Sequence, residues 1–93
     1  MIGTWTSYEV TDVLGDDVSS EVDPDALEMT FKGDHTVDIE FNGESILGQV
    51  WSMLDTWGSL DESEYDFSWD LADGELEVTY NGDEYWVFKC EKQ

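Results

Sequence analysis

The feature that most constrains the fold of this chain is a repeated hairpin pattern between residues 64 and 90. Apolar residues occupy alternate positions over 67–71 and again over 76–80, which places them on one face of a β-strand. Asp73-Gly74 and Asn81-Gly82 separate these runs from each other and from a third one. Asp-Gly and Asn-Gly pairs favour type I′ turns, because both central residues of such a turn need a positive φ angle. The pattern therefore predicts three antiparallel strands in succession.

Further strands are predicted in the residues that precede this meander. They cover residues 2–13, 27–32, 36–41 and 45–51. The segment from Leu14 to Asp25 is acidic and is expected to be a loop, in which Asp23-Pro24 caps a single helical turn. Residues 52–63 are also expected to form a loop, because Gly58 and the acids after it outweigh a near-helical spacing of three apolar residues.

The order of these elements predicts the fold class. The pattern contains no long amphipathic helix, which excludes a fold built from βαβ units. A chain of consecutive antiparallel strands has to close on itself or divide into two sheets to protect its edges. We therefore expect an all-β fold, a small antiparallel up-and-down barrel or near-barrel of seven to eight strands joined by tight hairpin turns. Residues 1–93 are expected to form a single domain.

Acidic residues dominate the charged side chains. Twenty-four Asp and Glu face three Lys and no Arg, for a formal net charge of −21. This balance excludes direct binding of nucleic acid, since phosphate recognition requires basic side chains, and no apolar run is long enough for insertion into a membrane. The expected partners are basic proteins, cations or uncharged molecules. Crowding of like charges is also expected to raise the pKa values of carboxyl groups in the folded state.

Four segments carry a resemblance to a known family. They are Gly3-Thr4-Trp5, the strand–turn–strand run 27–37, the segment Asn42-Gly43-Glu44-Ser45 and the final Val87-Phe88-Lys89. In this order they resemble the small lipocalin-like (calycin-type) β-barrel domains of bacterial secreted and lipoprotein-type proteins. The resemblance implies a closed barrel in which Trp5 plugs one end and Lys89 packs on its ring. The chain is shorter than a ligand-carrying lipocalin and lacks the terminal helix, which argues against a roomy cavity.

The last predicted strand supplies the candidate binding surface. Side chains alternate between the two faces of a strand, and in this strand both alternating sets contain apolar residues. If Lys89 faces Trp5, the rings of Trp86 and Phe88 face outward. Carboxylates beside such rings would make an aromatic anchor ringed by charge, an arrangement common in compact interfaces. The complete set of candidate binding residues is Trp86, Phe88, Glu77, Glu84, Trp51 and Trp57.

Residues capable of catalysis are few, and the chain is predicted not to be an enzyme. His35 lies in a predicted turn and Cys90 at the end of a strand, and no spacing relates them as a nucleophile and its base. The acidic segment 14–25 lacks the glycine and the closing glutamate of an EF-hand calcium loop. A solvated loop is favoured there over a weak cation site, so no metal ligands are assigned and no cofactor is expected.

Three functions are compatible with these features. The first is a non-enzymatic, lipocalin-like binding module of a bacterial secreted or surface protein, which binds a small apolar ligand or a protein partner. The alternative is an acidic inhibitor that mimics nucleic acid, of the anti-restriction or anti-CRISPR type, and blocks a basic DNA-binding groove. The third is a spacer domain in a larger surface protein. The expected location is extracellular or the cell surface if the chain was cut after an export signal, and cytoplasmic otherwise.

Overall fold

The computed structural model of the protein describes residues 2–61, 65–82 and 84–93. These residues form eight strands, which run in chain order around a closed barrel. The strands are β1 (Gly3–Thr11), β2 (Leu27–Phe31), β3 (Thr36–Phe41), β4 (Glu44–Leu54), β5 (Trp57–Asp61), β6 (Phe67–Ala72), β7 (Glu75–Asn81) and β8 (Tyr85–Lys92). No helix occurs among the described residues. The predicted all-β, antiparallel, up-and-down barrel is therefore confirmed, with eight strands.

Closure of the barrel comes from pairing of the first and last strands. Each strand is antiparallel to the next one in the chain, and β8 pairs with β1 from Trp5↔Lys92 to Thr11↔Val87. The β7–β8 ladder is the longest without a register shift, from Glu75↔Glu91 to Asn81↔Tyr85. Every strand then has two neighbours, so the barrel has no edge strand among the described residues.

Two of the predicted hairpin turns have the expected geometry and one does not. Asn42-Gly43 has φ angles of 51° and 87°, and Asp73-Gly74 has 54° and 76°, as type I′ turns require. The prediction for Asn81-Gly82 is wrong, because Asn81 still belongs to β7 and pairs with Tyr85. The connection to β8 is therefore longer than two residues and includes Gly82 and Glu84.

The structure corrects the predicted loop at 52–63 over its described part. β4 continues to Leu54, and Asp55-Thr56 forms a tight turn in which Asp55 has a φ of 57°. β5 then pairs back on β4, with Leu54 opposite Trp57. The near-helical spacing of apolar residues there comes from two strands that flank one turn. Residues 62–64 lie outside the described part of the chain.

The predicted helical turn at Asp23-Pro24 is also wrong. The amide of Ala26 donates a hydrogen bond to the carbonyl of Asp23 over 3.0 Å, which makes residues 23–26 a β-turn. Pro24 occupies its second position, where the fixed φ of proline suits the turn. The acidic loop is held on the barrel by the buried side chains of Val18 and Val22.

Side chains of the barrel's own strands occupy its interior. The largest fully buried ones are Trp69, Phe31, Phe67, Phe88, Leu27, Met29, Ile39, Leu76, Val10, Val37, Val78 and Cys90. Trp69 lies directly against Gly58, where a Cβ atom would come within 2.7 Å of Trp69 Cε2 and of Met53 Cγ. Gly58 therefore interrupts the apolar pattern of β5 because the Trp69 ring occupies the space that a side chain would need.

Candidate functional site

Alternation along β8 places Lys89 on the outside of the barrel, not on Trp5. Trp5 is buried, as the resemblance implies, but Lys89 Nζ lies 3.2 Å from Glu9 Oε2. The predicted packing of Lys89 on Trp5 is therefore wrong. The lysine in register with Trp5 is Lys92, and its side chain fills the space beside Gly3, where a Cβ would lie 2.8 Å from Lys92 Cε. Sequence parity could have found it, since Lys92 follows buried Cys90 by two residues.

The same alternation corrects the orientation predicted for Trp86 and Phe88. Phe88 is fully buried and Trp86 is half-buried against the core. The ring of Trp86 packs at one end of the barrel, 6.1 Å from the ring of Phe41 and 6.0 Å from that of Tyr80. These two residues thus contribute to the core and to the closure of the barrel end. Glu84 is exposed in the connection that precedes β8.

Trp51 and Trp57 lie in very different environments. Trp51 is buried, its Nε1 donates to the carbonyl of Thr36 over 3.0 Å, and its ring stacks on His35 at 4.9 Å. His35 has a positive φ of 66°, and its carbonyl accepts a hydrogen bond from the Trp51 amide. These contacts give Trp51 and His35 structural roles at the β2–β3 turn. Trp57, in contrast, is 55% exposed on the outer side of β5.

The outer surfaces of β6, β7, β8 and β1 are strongly acidic. We call this surface the acidic face; its residues are Asp70, Glu75, Glu77, Lys89, Glu91, Glu9 and Tyr8. Two carboxylate pairs lie directly opposite each other across neighbouring strands, Glu75↔Glu91 and Asp70↔Glu77. Opposed like charges destabilise a β-sheet, so the acidic face carries electrostatic repulsion in the isolated protein.

A bulge in β1 creates the specific contacts on the acidic face. The register of β1 against β8 shifts between Ser7 and Glu9, so Tyr8 and Glu9 both face outward. The hydroxyl of Tyr8 donates a hydrogen bond to Glu75, which raises the pKa of Tyr8 to about 12. The hydrogen bond from Lys89 to Glu9 raises the pKa of the lysine as well. Two carboxylates of the acidic face, Glu75 and Glu9, therefore have partners within the protein.

Two grooves on the outside of the barrel are lined in part by residues of the acidic face. One has a volume of about 630 Å³ and lies between the loop after β1 and the outer sides of β1 and β8. Its polar lining includes Glu9, Asp12 and Asp17. The Oδ1 atom of Asp12 accepts hydrogen bonds from the amides of residues 14 and 16, and Asp17 accepts two from Ser19. A smaller groove of about 270 Å³ is lined by residues of β6–β8 and the β6–β7 turn.

A second outer surface, on β4 and β5, has the opposite character. Residues 45–54 contain no charged side chain, in a chain with 24 acids. The outward apolar side chains form what we call the apolar face: Leu47 (65% exposed), Val50 (49%), Leu54 (78%) and Trp57 (55%). Leu54 and Trp57 are directly opposite each other across the β4–β5 hairpin. Of the candidate binding residues, only Trp57 belongs to this face.

Two carboxyl groups near the β2–β3 turn contradict the expected rise in pKa. Asp38 lies 2.7 Å from Lys32 Nζ and accepts a hydrogen bond from the Gly48 amide, and these contacts lower its pKa. Hydrogen bonds from the hydroxyl and the amide of Thr36 lower the pKa of Asp34. Local donors therefore outweigh the general negative field at these two groups.

The buried thiol of Cys90 is held in its protonated form. Cys90 is fully buried in β8, between Ser7 of β1 and Leu76 of β7. Burial, with a smaller contribution from Glu75, raises its pKa to about 12. A thiol of this kind carries little of the thiolate that acts as a nucleophile at neutral pH. Within the described ranges, no three His, Cys, Asp or Glu side chains are grouped to hold a metal ion.

The fold defines the protein as an eight-stranded closed antiparallel β-barrel. No protein-family model, curated protein or solved structure matches the chain. The described residues also contain no helix that is long and apolar enough to cross a membrane.

Proposed function

We propose that the chain is a non-catalytic binding module of lipocalin-like architecture that binds a basic protein partner through the outer surface of its barrel. The observation that carries this proposal is the opposition of carboxylates across neighbouring strands. Besides the two pairs of the acidic face, Glu28 on β2 is directly opposite Glu40 on β3. The folded protein retains the repulsion between such pairs, and a bound cationic surface relieves it. This relief contributes favourably to the free energy of binding.

The packed interior favours a protein partner over a small apolar ligand. A barrel of eight strands is just wide enough to be filled by its side chains or to hold one small ligand. Here the large buried side chains of Trp69, Phe31 and Phe67 occupy the interior, and Phe31 contacts Trp69 edge to face at 5.0 Å. A lumen ligand would have to displace packed rings, whereas a partner on the outside displaces only water.

Lipocalin-like ancestry is supported by the first strand. Trp5 follows Gly3 in β1 and is buried, and a lysine of β8 lies in register with it. The proposed setting is the exterior of a bacterial cell, as for the secreted and lipoprotein-type domains that the sequence resembles.

The binding proposal can be tested with a panel of purified basic proteins titrated by calorimetry at low and high salt. We expect binding that weakens steeply with salt, because the contacts are ionic. The variant Asp70→Asn/Glu77→Gln should bind more weakly than Glu21→Gln/Asp25→Asn, which removes the same charge from the acidic loop. Equal losses in the two variants, or no binding to any basic protein at low salt, would contradict the proposal.

A second candidate function is inhibition by mimicry of nucleic acid. The observation that favours it is the rows of carboxylates on adjacent strands of the acidic face, which present negative charge as a phosphate backbone does. Double-stranded DNA should then compete with the protein for a basic DNA-binding partner. If DNA and the protein bind such a partner at the same time, this candidate is excluded and the general binding function is not.

A further inference from the structure

The apolar face is the most unusual surface of the molecule for its composition. With 24 acids in 93 residues, ten consecutive positions would carry between two and three on average, yet residues 45–54 carry none. The outward positions of β4 include Leu47, Val50 and Leu54. Ser52 lies between the last two and donates a hydrogen bond to Asp61 over 3.0 Å. Large apolar side chains at outward positions of a sheet mark interaction sites when they lie together and have a polar rim.

The rim of the apolar face is acidic. Asp61 is directly opposite Val50, and Asp70 is directly opposite Trp57. Asp55 lies in the turn that joins Leu54 to β5 and is exposed. Carboxylates thus lie beside Val50, beside Trp57 and in the turn after Leu54. An apolar centre with a polar or charged rim is the usual anatomy of a protein interface.

From this arrangement we infer that the apolar face is the docking surface that anchors the partner, and that the partner presents apolar side chains surrounded by lysine or arginine. The inference rests on the proposed function and gives it a location. Trp57 and Leu54 are its main contacts, because a tryptophan that becomes buried on binding is the commonest type of hot-spot residue. Asp55, Asp61 and Asp70 pair with the partner's basic rim.

Charge complementarity selects this partner over a second copy of the chain. Two copies that meet through the apolar face would bring together two bodies of formal net charge −21 and two acidic rims. That repulsion opposes self-association at moderate salt. A partner with a basic rim is attracted to the acidic rim instead of repelled, and this attraction also raises the association rate.

The test compares two synthetic peptides with the same number of lysines. In one peptide leucine and tryptophan alternate with the lysines, and in the other serine replaces them. Wild-type protein should bind the apolar peptide more tightly than the serine peptide. Leu54→Thr/Trp57→Thr should weaken binding of the apolar peptide by about 30-fold, the size expected for hot-spot side chains, and leave binding of the serine peptide unchanged.

The matched control removes two other exposed apolar side chains. Val13 (69% exposed) and Leu14 (82% exposed) lie in the loop after β1, and Val13→Thr/Leu14→Thr should keep the wild-type preference for the apolar peptide. Circular dichroism and thermal melting establish that each variant is folded. If Leu54→Thr/Trp57→Thr does not fold, Leu47→Thr/Val50→Thr tests the same surface.

The outcomes separate this inference from the general function. Salt-sensitive binding of both peptides with equal affinity would leave the basic-partner function standing and overturn the docking surface. Absence of binding to either peptide at low salt would overturn both. Sedimentation that shows a wild-type dimer, dispersed by Leu54→Thr/Trp57→Thr, would assign the face to a second copy and overturn the inferred partner.

Discussion

The acidic face and the apolar face are outward surfaces of one continuous sheet, yet they differ in almost every respect. The acidic face places carboxylates opposite each other, as in Glu75↔Glu91, and uses Lys89 and Tyr8 to offset part of the charge. The apolar face, centred on Leu54 and Trp57, has no charge among its own side chains. Both surfaces cover the same packed interior, so folding alone does not require either composition. Under the proposed function, each face is shaped by the part of the partner that it contacts.

The largest difference in stability is expected between removal of an aromatic side chain beneath the acidic face and removal of one on the apolar face. Phe88 is fully buried beneath the acidic face, whereas Trp57 lies exposed on the apolar face. Phe88→Ala should lower the free energy of unfolding by about 3–5 kcal/mol because it opens a cavity. Trp57→Ala should change it by less than about 1 kcal/mol, the scale of an exposed cross-strand contact. Urea denaturation measures both, and equal losses would show that Trp57 serves the fold.

A smaller loss of stability is expected from a substitution at Gly58, where the backbone of β5 lies directly against the Trp69 ring. Gly58→Ala would place a Cβ within 2.7 Å of Trp69 Cε2, and overpacking of this kind costs about 1–3 kcal/mol. Gly33→Ala is the matched control, since nothing lies within 4 Å of its added Cβ. Thermal unfolding should show a clear drop for Gly58→Ala and none for Gly33→Ala. Wild-type stability of Gly58→Ala would mean that Trp69 can move away from β5.

The acidic face should also be recognisable by the titration of Tyr8. Its hydroxyl donates to Glu75, so the folded pKa of about 12 lies above the ordinary value of 10.0. Because the folded state holds this proton more tightly, the stability it contributes is present below pH 10 and is lost as the pH rises towards 12. Phenolate absorbance, taken as the difference between wild type and Tyr8→Phe, reports this pKa. Glu75→Ala, which removes the acceptor, should bring it closer to 10, and an unchanged value would exclude the hydrogen bond as its cause.

The smallest effect is expected at Asp38, where the register between β3 and β4 shifts. Its pKa lies below the ordinary value of 3.8 because Lys32 and the Gly48 amide donate to it. A lowered folded pKa means that this contribution to stability is present above pH 3.8 and is lost as the pH falls through the folded value. Lys32→Gln should raise the pKa of Asp38, as followed by the carboxyl carbon in NMR. A pKa that stays low would assign the effect to the Gly48 amide alone.

Local sequence determined those strands and turns that depend only on interactions between neighbouring residues. The alternation at 67–71 and 76–80 and the turn at Asp73-Gly74 depend on side-chain parity and on φ preferences, which act between neighbouring residues. These local signals identified the all-β class and the hairpin order. They missed β5 because Gly58 weakens strand propensity. The reason for a glycine there is the ring of Trp69, which is eleven positions further along the chain.

Only the tertiary structure decided which side of each strand faces the interior. In β8 both parities are apolar, so the sequence left the orientation of Phe88 and Lys89 undetermined. Pairing with β7 and β1 resolves it, because Phe88 joins the buried side of Val78 and Val10, and Lys89 joins the side of Glu9. The two outer faces have the same origin. Side chains become neighbours on a barrel surface through register between strands, and register is set by packing of the whole core, which no local stretch of sequence contains.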